Sequence, residues 1–259
     1  MPGLIVLFRT HMSQQILTAG TIVQKLKEFR LSGMSKTLEV RLREAETENL
    51  SYAEFLGLLL EDEANTRADN KQRKMYKSAK IPNAKDLSDF DFAFQPSINK
   101  REIYDLATCQ FLTSKTNILF IGQQGVGKTH LSIALGLQAL GYGKTVLFTT
   151  VWKMISDLQQ SRADFSYHKR LQSYLKPDLL ILDELGYRSM AESTVEDFFE
   201  IVSQRYEKGS IIITSNRPIA QWEKVFLVKP LTAAIVDRLM HHCRVIEITG
   251  ESYRYKHRD

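Results

Sequence analysis

Apolar positions along the chain change their period near residue 100. Between residues 20 and 80 they recur at helical spacing: Ile22, Val23, Leu26 and Phe29 share one face, and Leu38, Leu42 and Ala45 repeat the pattern on a second segment. Gly33, between the two, reads as the break. A third helix has a defined start, where Ser51 and Glu54 form a capping box and Leu50 and Phe55 occupy the positions of a hydrophobic staple. It can continue through 61–80 until Pro82 stops it. No strand pattern occurs in this stretch. Residues 81–100 lose all periodicity and fill with Pro, Asn, Asp and Phe, so they read as a linker whose Phe90, Phe92 and Phe94 dock on a neighbouring surface.

Beyond the linker, β-rich apolar runs alternate with helical stretches. The runs are Asn117–Ile121, Thr145–Thr149, Asp178–Asp183, Ser210–Ser215 and Cys243–Ile248. Four of the five are continuous rather than alternating, as strands of a parallel sheet buried on both faces should be. Strand–helix alternation of this kind predicts an α/β fold with a parallel, doubly wound sheet. The expected organisation is a disordered leader at 1–19, a small all-helical domain at 20–80, a linker at 81–100 and the α/β domain at 101–259.

Two motifs bring chemistry to that second domain. Gly122-Gln-Gln-Gly125-Val126-Gly127-Lys128-Thr129 is a complete Walker A loop, placed after one predicted strand and before a helix over His130–Leu140. Its glycines let backbone N–H groups turn inward around phosphates at the positive end of the following helix. Lys128 is expected to reach the β- and γ-phosphates of ATP, and Thr129 to ligate Mg²⁺. Leu179–Leu182 then lead to Asp183-Glu184 at the end of a buried strand, where ligands of such sheets bind. Asp183 is expected to hold Mg²⁺ and Glu184 to polarise the water that attacks the γ-phosphate. A third strand ends in Thr214-Ser-Asn216-Arg-Pro218, whose amide can orient that water or merely cap the strand. Asp237-Arg238-Leu239 closes a helix that starts near Leu231, and Ser252-Tyr253-Arg254 follows the last strand.

Composition narrows the class further. The chain is 43% hydrophobic and 25% charged, ordinary for a globular protein, and no apolar run approaches a membrane span. Leu4–Phe8 is apolar but is cut off by Arg9, and it lacks the preceding charge and small-residue cleavage site of a secretory signal. A cytoplasmic protein with no membrane partner is the expectation. Cys109 and Cys243 stand apart and read as reduced thiols. His241 and His242 are adjacent, so on a helix they would diverge by about 100° and could not chelate as an i, i+4 pair.

The net charge of +5 is compatible with nucleic-acid binding without requiring it. Five basic residues and no acid lie between Lys71 and Lys80. On a helix Arg73, Lys77 and Lys80 fall within about 60° of one another, a stripe suited either to phosphates or to a solvated helix end. A second basic region contains Arg162, Lys169 and Arg170. No base-reading motif is present, so DNA contacts are expected to be made to the backbone and to weaken with salt.

The order of these motifs resembles that of the AAA+ ATPases. More narrowly, Gly125-Val-Gly-Lys-Thr-His130-Leu131, Asp183-Glu-Leu-Gly-Tyr187, Thr214-Ser-Asn-Arg-Pro218, Asp237-Arg-Leu239 and Ser252-Tyr-Arg254 resemble the IstB family. Its members are ATP-binding helpers of insertion-sequence transposases, related to the DnaC-type helicase loaders. The resemblance runs from about residue 20 to Arg254, and departs from the family where Gln123 and Gln124 replace its usual paired prolines. It implies a P-loop AAA+ core without a C-terminal lid. It also implies nucleotide contacts from Gly122 through His130, Asn216 as sensor 1, Arg254 as sensor 2, and Arg238 as an arginine finger delivered in trans within a homo-oligomer. The implied activity is DNA-stimulated ATP hydrolysis on duplex target DNA, with the cognate transposase as partner. A helicase loader acting on single strands and a non-hydrolysing ATP-gated switch remain alternatives.

Overall fold

The computed structural model describes residues 18–256. The leader expected at 1–19 therefore lies outside the described residues except for Thr18, whose hydroxyl caps the first helix, and Ala19. The chain forms two compact units that divide at Lys71/Gln72, within a long helix.

The first unit contains α1 (Ala19–Glu28), α2 (Ser32–Glu48) and most of α3 (Tyr52–Ala79). Met34, Leu38 and Leu59 form its small core, with Ile22, Val23, Leu26, Leu42 and Phe55 packed around them. The capping box is present: Ser51 N–H donates to Glu54 Oε2 at 2.8 Å and Glu54 N–H to Ser51 Oγ at 3.3 Å. Gly33 has a different role from the one expected. The break falls at Phe29–Leu31, where Arg30 turns left-handed (φ 59°), and Gly33 sits in the first turn of α2. A Cβ there would stand 2.6 Å from Glu63 Cα on the backbone of α3, so only glycine allows the two helices so close. Glu63, buried, accepts N–H bonds from Gly33 (2.6 Å) and Met34 (3.3 Å) and thereby satisfies the otherwise free start of α2.

In the second unit α4 (Lys100–Ala107) and α5 (Gln110–Thr113) precede β1 (Asn117–Gly122), α6 (Lys128–Gly141) and β2 (Val146–Thr150). Next come α7 (Val151–Ala163), α8 (Tyr167–Leu175), β3 (Leu179–Leu185), α9 (Glu192–Arg205) and β4 (Ser210–Ser215). The chain continues through α10 (Glu223–Phe226), α11 (Lys229–His241), β5 (Cys243–Ile248) and α12 (Tyr253–Lys256). The five strands pair in parallel in the order β2-β3-β4-β1-β5. Alternate strand residues feed two cores. Ile118, Phe120, Leu179, Ile181 and Ile212 pack on the α6 face, whereas Leu119, Ile121, Leu180, Leu182, Ile211 and Ile213 pack on the face of α7, α9 and α11. Burial on both faces explains why the runs are continuous in sequence. Met75, Ala79 and Ile81 join the α6-side core.

Among the described residues no helix is long and apolar enough to cross a membrane. One polar residue is conspicuous inside the sheet layer. Arg205 is 2% exposed and donates five hydrogen bonds, to the carbonyls of Tyr174, Leu175, Pro177, Asp178 and Ser210. Burial pushes its pKa down to about 10, so it stays charged at neutral pH and ties the end of α8 to the starts of β3 and β4.

Candidate nucleotide site

The crossing order of the strands leaves β1 and β4 side by side in the middle of the sheet, with β3 next to them. Their C-terminal ends meet at a cavity of about 350 Å³. The loop after β1 and the first turn of α6 supply Gln124 through His130 to its lining. Gly125 and Gly127 adopt φ of 80° and 101°, conformations that strain any residue with a Cβ. Gly122 lies at the foot of the loop, where its carbonyl and that of Gln123 accept from Lys128 Nζ at 2.8 and 2.6 Å. Burial pushes the Lys128 pKa down; nearby Asp183 draws it up, and Arg254 opposes that. A desolvated ammonium beside another cation is a strong attractor for phosphate.

Asp183 and Glu184 are adjacent, and on a regular strand they would point to opposite faces. Here the β3–β4 pairing shifts register between Leu182 and Leu185, and Glu184 turns left-handed (φ 67°). That conformation costs about 1–2 kcal/mol for a residue with a side chain. Asp183, 5% exposed, then accepts from Thr129 Oγ1 at 2.9 and 3.1 Å and from Thr214 Oγ1 at 2.5 Å. Glu184 is presented to the cavity, with its own N–H held by Thr214 Oγ1 at 3.0 Å. Asn216 lines the same cavity, and its buried Oδ1 has no hydrogen-bond partner among the described residues. Such an unsatisfied amide suits a polar ligand or water.

Arg254 reaches the cavity because the chain after β5 folds onto the loop: Tyr253 N–H donates to Gly125 O at 3.0 Å. A Cβ on Gly125 would collide with Ser252, which accounts for the small residue at each position. Arg238 is placed elsewhere. It lies on α11 outside the cavity lining, with Nη1 3.1 Å from Ala234 O and its guanidinium 5.0 Å from the centre of the Phe199 ring.

The linker adds a wall that the motifs did not reveal. Lys85, Asp89, Phe90, Asp91 and Gln95 line the cavity, as do Tyr187 and Thr214. Phe90 packs over Gly127 and meets His130 edge-on at 5.2 Å, while His130 Nε2 contacts Asp86 O at 2.8 Å. Gln95 Nε2 donates to Glu251 O at 2.8 Å, and Thr249 N–H to Ser97 Oγ at 3.2 Å. Phe90 thus docks on the phosphate loop itself, whereas Phe92 packs against Phe90 and Tyr104, and Phe94 meets Tyr253 edge-on. The absence of Cβ on Gly127, paired with an aperiodic Phe-rich segment, was the available hint.

The basic residues proposed for DNA are dispersed. Arg73 and Lys77 are exposed on α3, but the helix ends at Ala79 and Lys80 turns left-handed (φ 54°), leaving the expected stripe. Lys80 instead borders a groove with Thr150 and Lys153. Arg162 is engaged by buried Asp197 at 2.5 Å and stacks on Tyr167 at 4.2 Å. Arg170 lies 4.0 Å from Asp157, and Lys169 is exposed on α8.

A Walker A loop, a buried acid behind its threonine and a polar strand tip, on a parallel sheet of this order, define an ATP-binding protein of the AAA+ class. Residues 24–259 match the family described as IstB-like ATP binding protein, and the chain belongs to that family. It is 38% identical over 231 residues to an ATP-binding protein of insertion sequence IS21 from Pseudomonas aeruginosa, covering 89% of this chain and 87% of the relative. Among solved structures, AMPPCP-bound DnaA from Aquifex aeolicus superposes with a TM-score of 0.53 at 25% identity, over 65% of this chain and 51% of that one. The DnaC helicase loader superposes with a TM-score of 0.52 at 23% identity, over 65% and 98%, a likeness of fold.

Proposed function

We propose that this chain is an ATP-hydrolysing helper of an insertion-sequence transposase, one that assembles on duplex target DNA with ATP and stimulates transposition. The observation that carries hydrolysis is the bulge in β3, which presents Glu184 to the cavity shared by Lys128, Asn216 and Arg254. A protein that only stored ATP would have no use for a carboxylate held in that strained position. The insertion-sequence setting rests on the relatives, whose names place them in such elements.

In this reading Lys128 and the loop N–H groups hold the phosphates, and Asn216 and Glu184 orient and polarise the attacking water. Thr129 Oγ1 and the Asp183 carboxylate, already within hydrogen-bond distance, are hard oxygen donors that fit Mg²⁺, directly or through water. The ion would supply charge neutralisation at the β- and γ-phosphates. Arg254 acts within its own subunit, while Arg238 is the finger for a neighbouring one. Arg73, Lys77, Lys80, Lys169 and Arg170 offer backbone contacts to DNA, as does Arg162 where it retains Asp197.

The test is the assembly mass, by mass photometry, with duplex or single-stranded DNA in ATP or ADP. Wild type should form large assemblies on duplex that require ATP, and Glu184→Gln should form the same assemblies and keep them because turnover stops. Preference for single strands would replace this reading with helicase loading. Equal behaviour of wild type and Glu184→Gln, with no turnover in either, would leave an ATP-gated switch.

A further inference from the structure

The end of α11 brings two histidines that the sequence reading set apart together with Glu207. His241 is the last residue of the helix, and His242 leaves it with non-helical backbone (φ −127°, ψ 79°). The divergence of about 100° expected for neighbours on a helix therefore does not apply. The two imidazole rings lie 4.0 Å apart, centre to centre. Glu207, in the turn between α9 and β4, adopts φ 57° and places Oε1 3.7 Å from His242 Nε2. One donor atom from each of Glu207, His241 and His242 falls within 4.8 Å of the other two.

We propose that these three residues form a site for a divalent transition metal ion of the zinc class. Two imidazoles and one carboxylate are a borderline nitrogen–oxygen donor set, suited to zinc and its neighbours rather than to magnesium or calcium. Donors about 2.0–2.1 Å from a tetrahedral ion stand about 3.4 Å from one another. The separations, all within 4.8 Å, exceed that by at most about 1.4 Å, which side-chain rotation at an exposed site can close. The Tyr206 hydroxyl lies 2.7 Å from His241 Nδ1 and orients that ring, as outer-shell partners of metal-binding histidines do. Water completes the coordination.

The site is separate from the nucleotide cavity and owes nothing to the hydrolysis reading. It joins the end of α11 to the turn that follows α9. A bound ion would fasten the helix that carries Arg238 one turn upstream. The competing interpretation of the same contacts is a surface ion pair formed when His242 is protonated.

Isothermal titration of the full-length, tag-free, chelator-stripped protein with zinc chloride, in excess Mg²⁺, separates the two. Wild type should bind one Zn²⁺ per chain, and the double variant His241→Ala/His242→Ala should lose that binding while retaining ATP affinity. Glu207→Gln should weaken zinc binding, and Tyr206→Phe should weaken it by about tenfold. His168→Ala, distant in sequence, should leave it unchanged. Cobalt(II) should give the intense visible bands of a four-coordinate site in wild type and not in the double variant. Equal zinc binding by wild type, Glu207→Gln and the double variant, or no stoichiometric binding by wild type, would overturn the assignment.

Discussion

Replacing Lys128 with alanine is expected to reduce ATP affinity by two to three orders of magnitude and leave the fold intact. The ammonium is largely withdrawn from water, and its hydrogen bonds go to two loop carbonyls rather than to a carboxylate. Phosphate oxygens are the partners that would compensate it fully. Two hydrogen bonds to a charged group contribute about 3–4 kcal/mol together, hence on the order of 10²–10³-fold in affinity. Alanine also frees the Gly122 and Gln123 carbonyls, but Gly122 is only half-buried and Gln123 exposed, so water can satisfy them. The melting temperature should therefore move by only a few degrees. Titration with a fluorescent ATP analogue, alongside thermal unfolding, checks both parts. Unchanged affinity would sink the assignment of the loop, and a collapsed melting curve would show that Lys128 supports the fold instead.

What could be read from the chain and what could not follows the range of the interactions. Four of the strands were legible because each is buried on both faces, so its apolar residues run without interruption. The fifth, β5 at the edge of the sheet, alternates with exposed Arg244 and Glu247. The phosphate loop was legible because its backbone demands fall on eight consecutive residues. The wall built by Phe90 was not, since its reason lies 37 positions away in the missing side chain of Gly127. Glu184 was legible as an acid beside Asp183, but the bulge that turns it into the cavity depends on how β3 pairs with β4. Gly33 shows the same limit from another side: glycine that ends a helix and glycine that lets two helices touch look alike until the partner is known. The basic residues were counted correctly, but Lys80 leaves its helix and Arg162 meets Asp197 from 35 positions away. Charge in a sequence becomes a surface only after such partners have been assigned.

Arg238→Ala is expected to bind ATP with wild-type affinity and to lose hydrolysis by about 10³-fold, the lower end of what an arginine finger contributes. Affinity should survive because Arg238 lies outside the cavity of its own chain. Among the described residues it pairs with no carboxylate; one carbonyl contact and the face of Phe199 hold it, so its charge remains available to a neighbouring subunit. A residue acting in trans can be supplied by another molecule, which a purely structural residue cannot. Mixing Arg238→Ala with Lys128→Ala should therefore restore part of the turnover: the first brings an intact nucleotide site and the second an intact finger. The rate of phosphate release on duplex DNA, measured across mixing ratios, should rise to a maximum at intermediate composition. A rate that stays at the floor at every ratio would remove Arg238 from the active site. Reduced ATP affinity in Arg238→Ala alone would place its effect within its own chain, through the packing of α11 against α9.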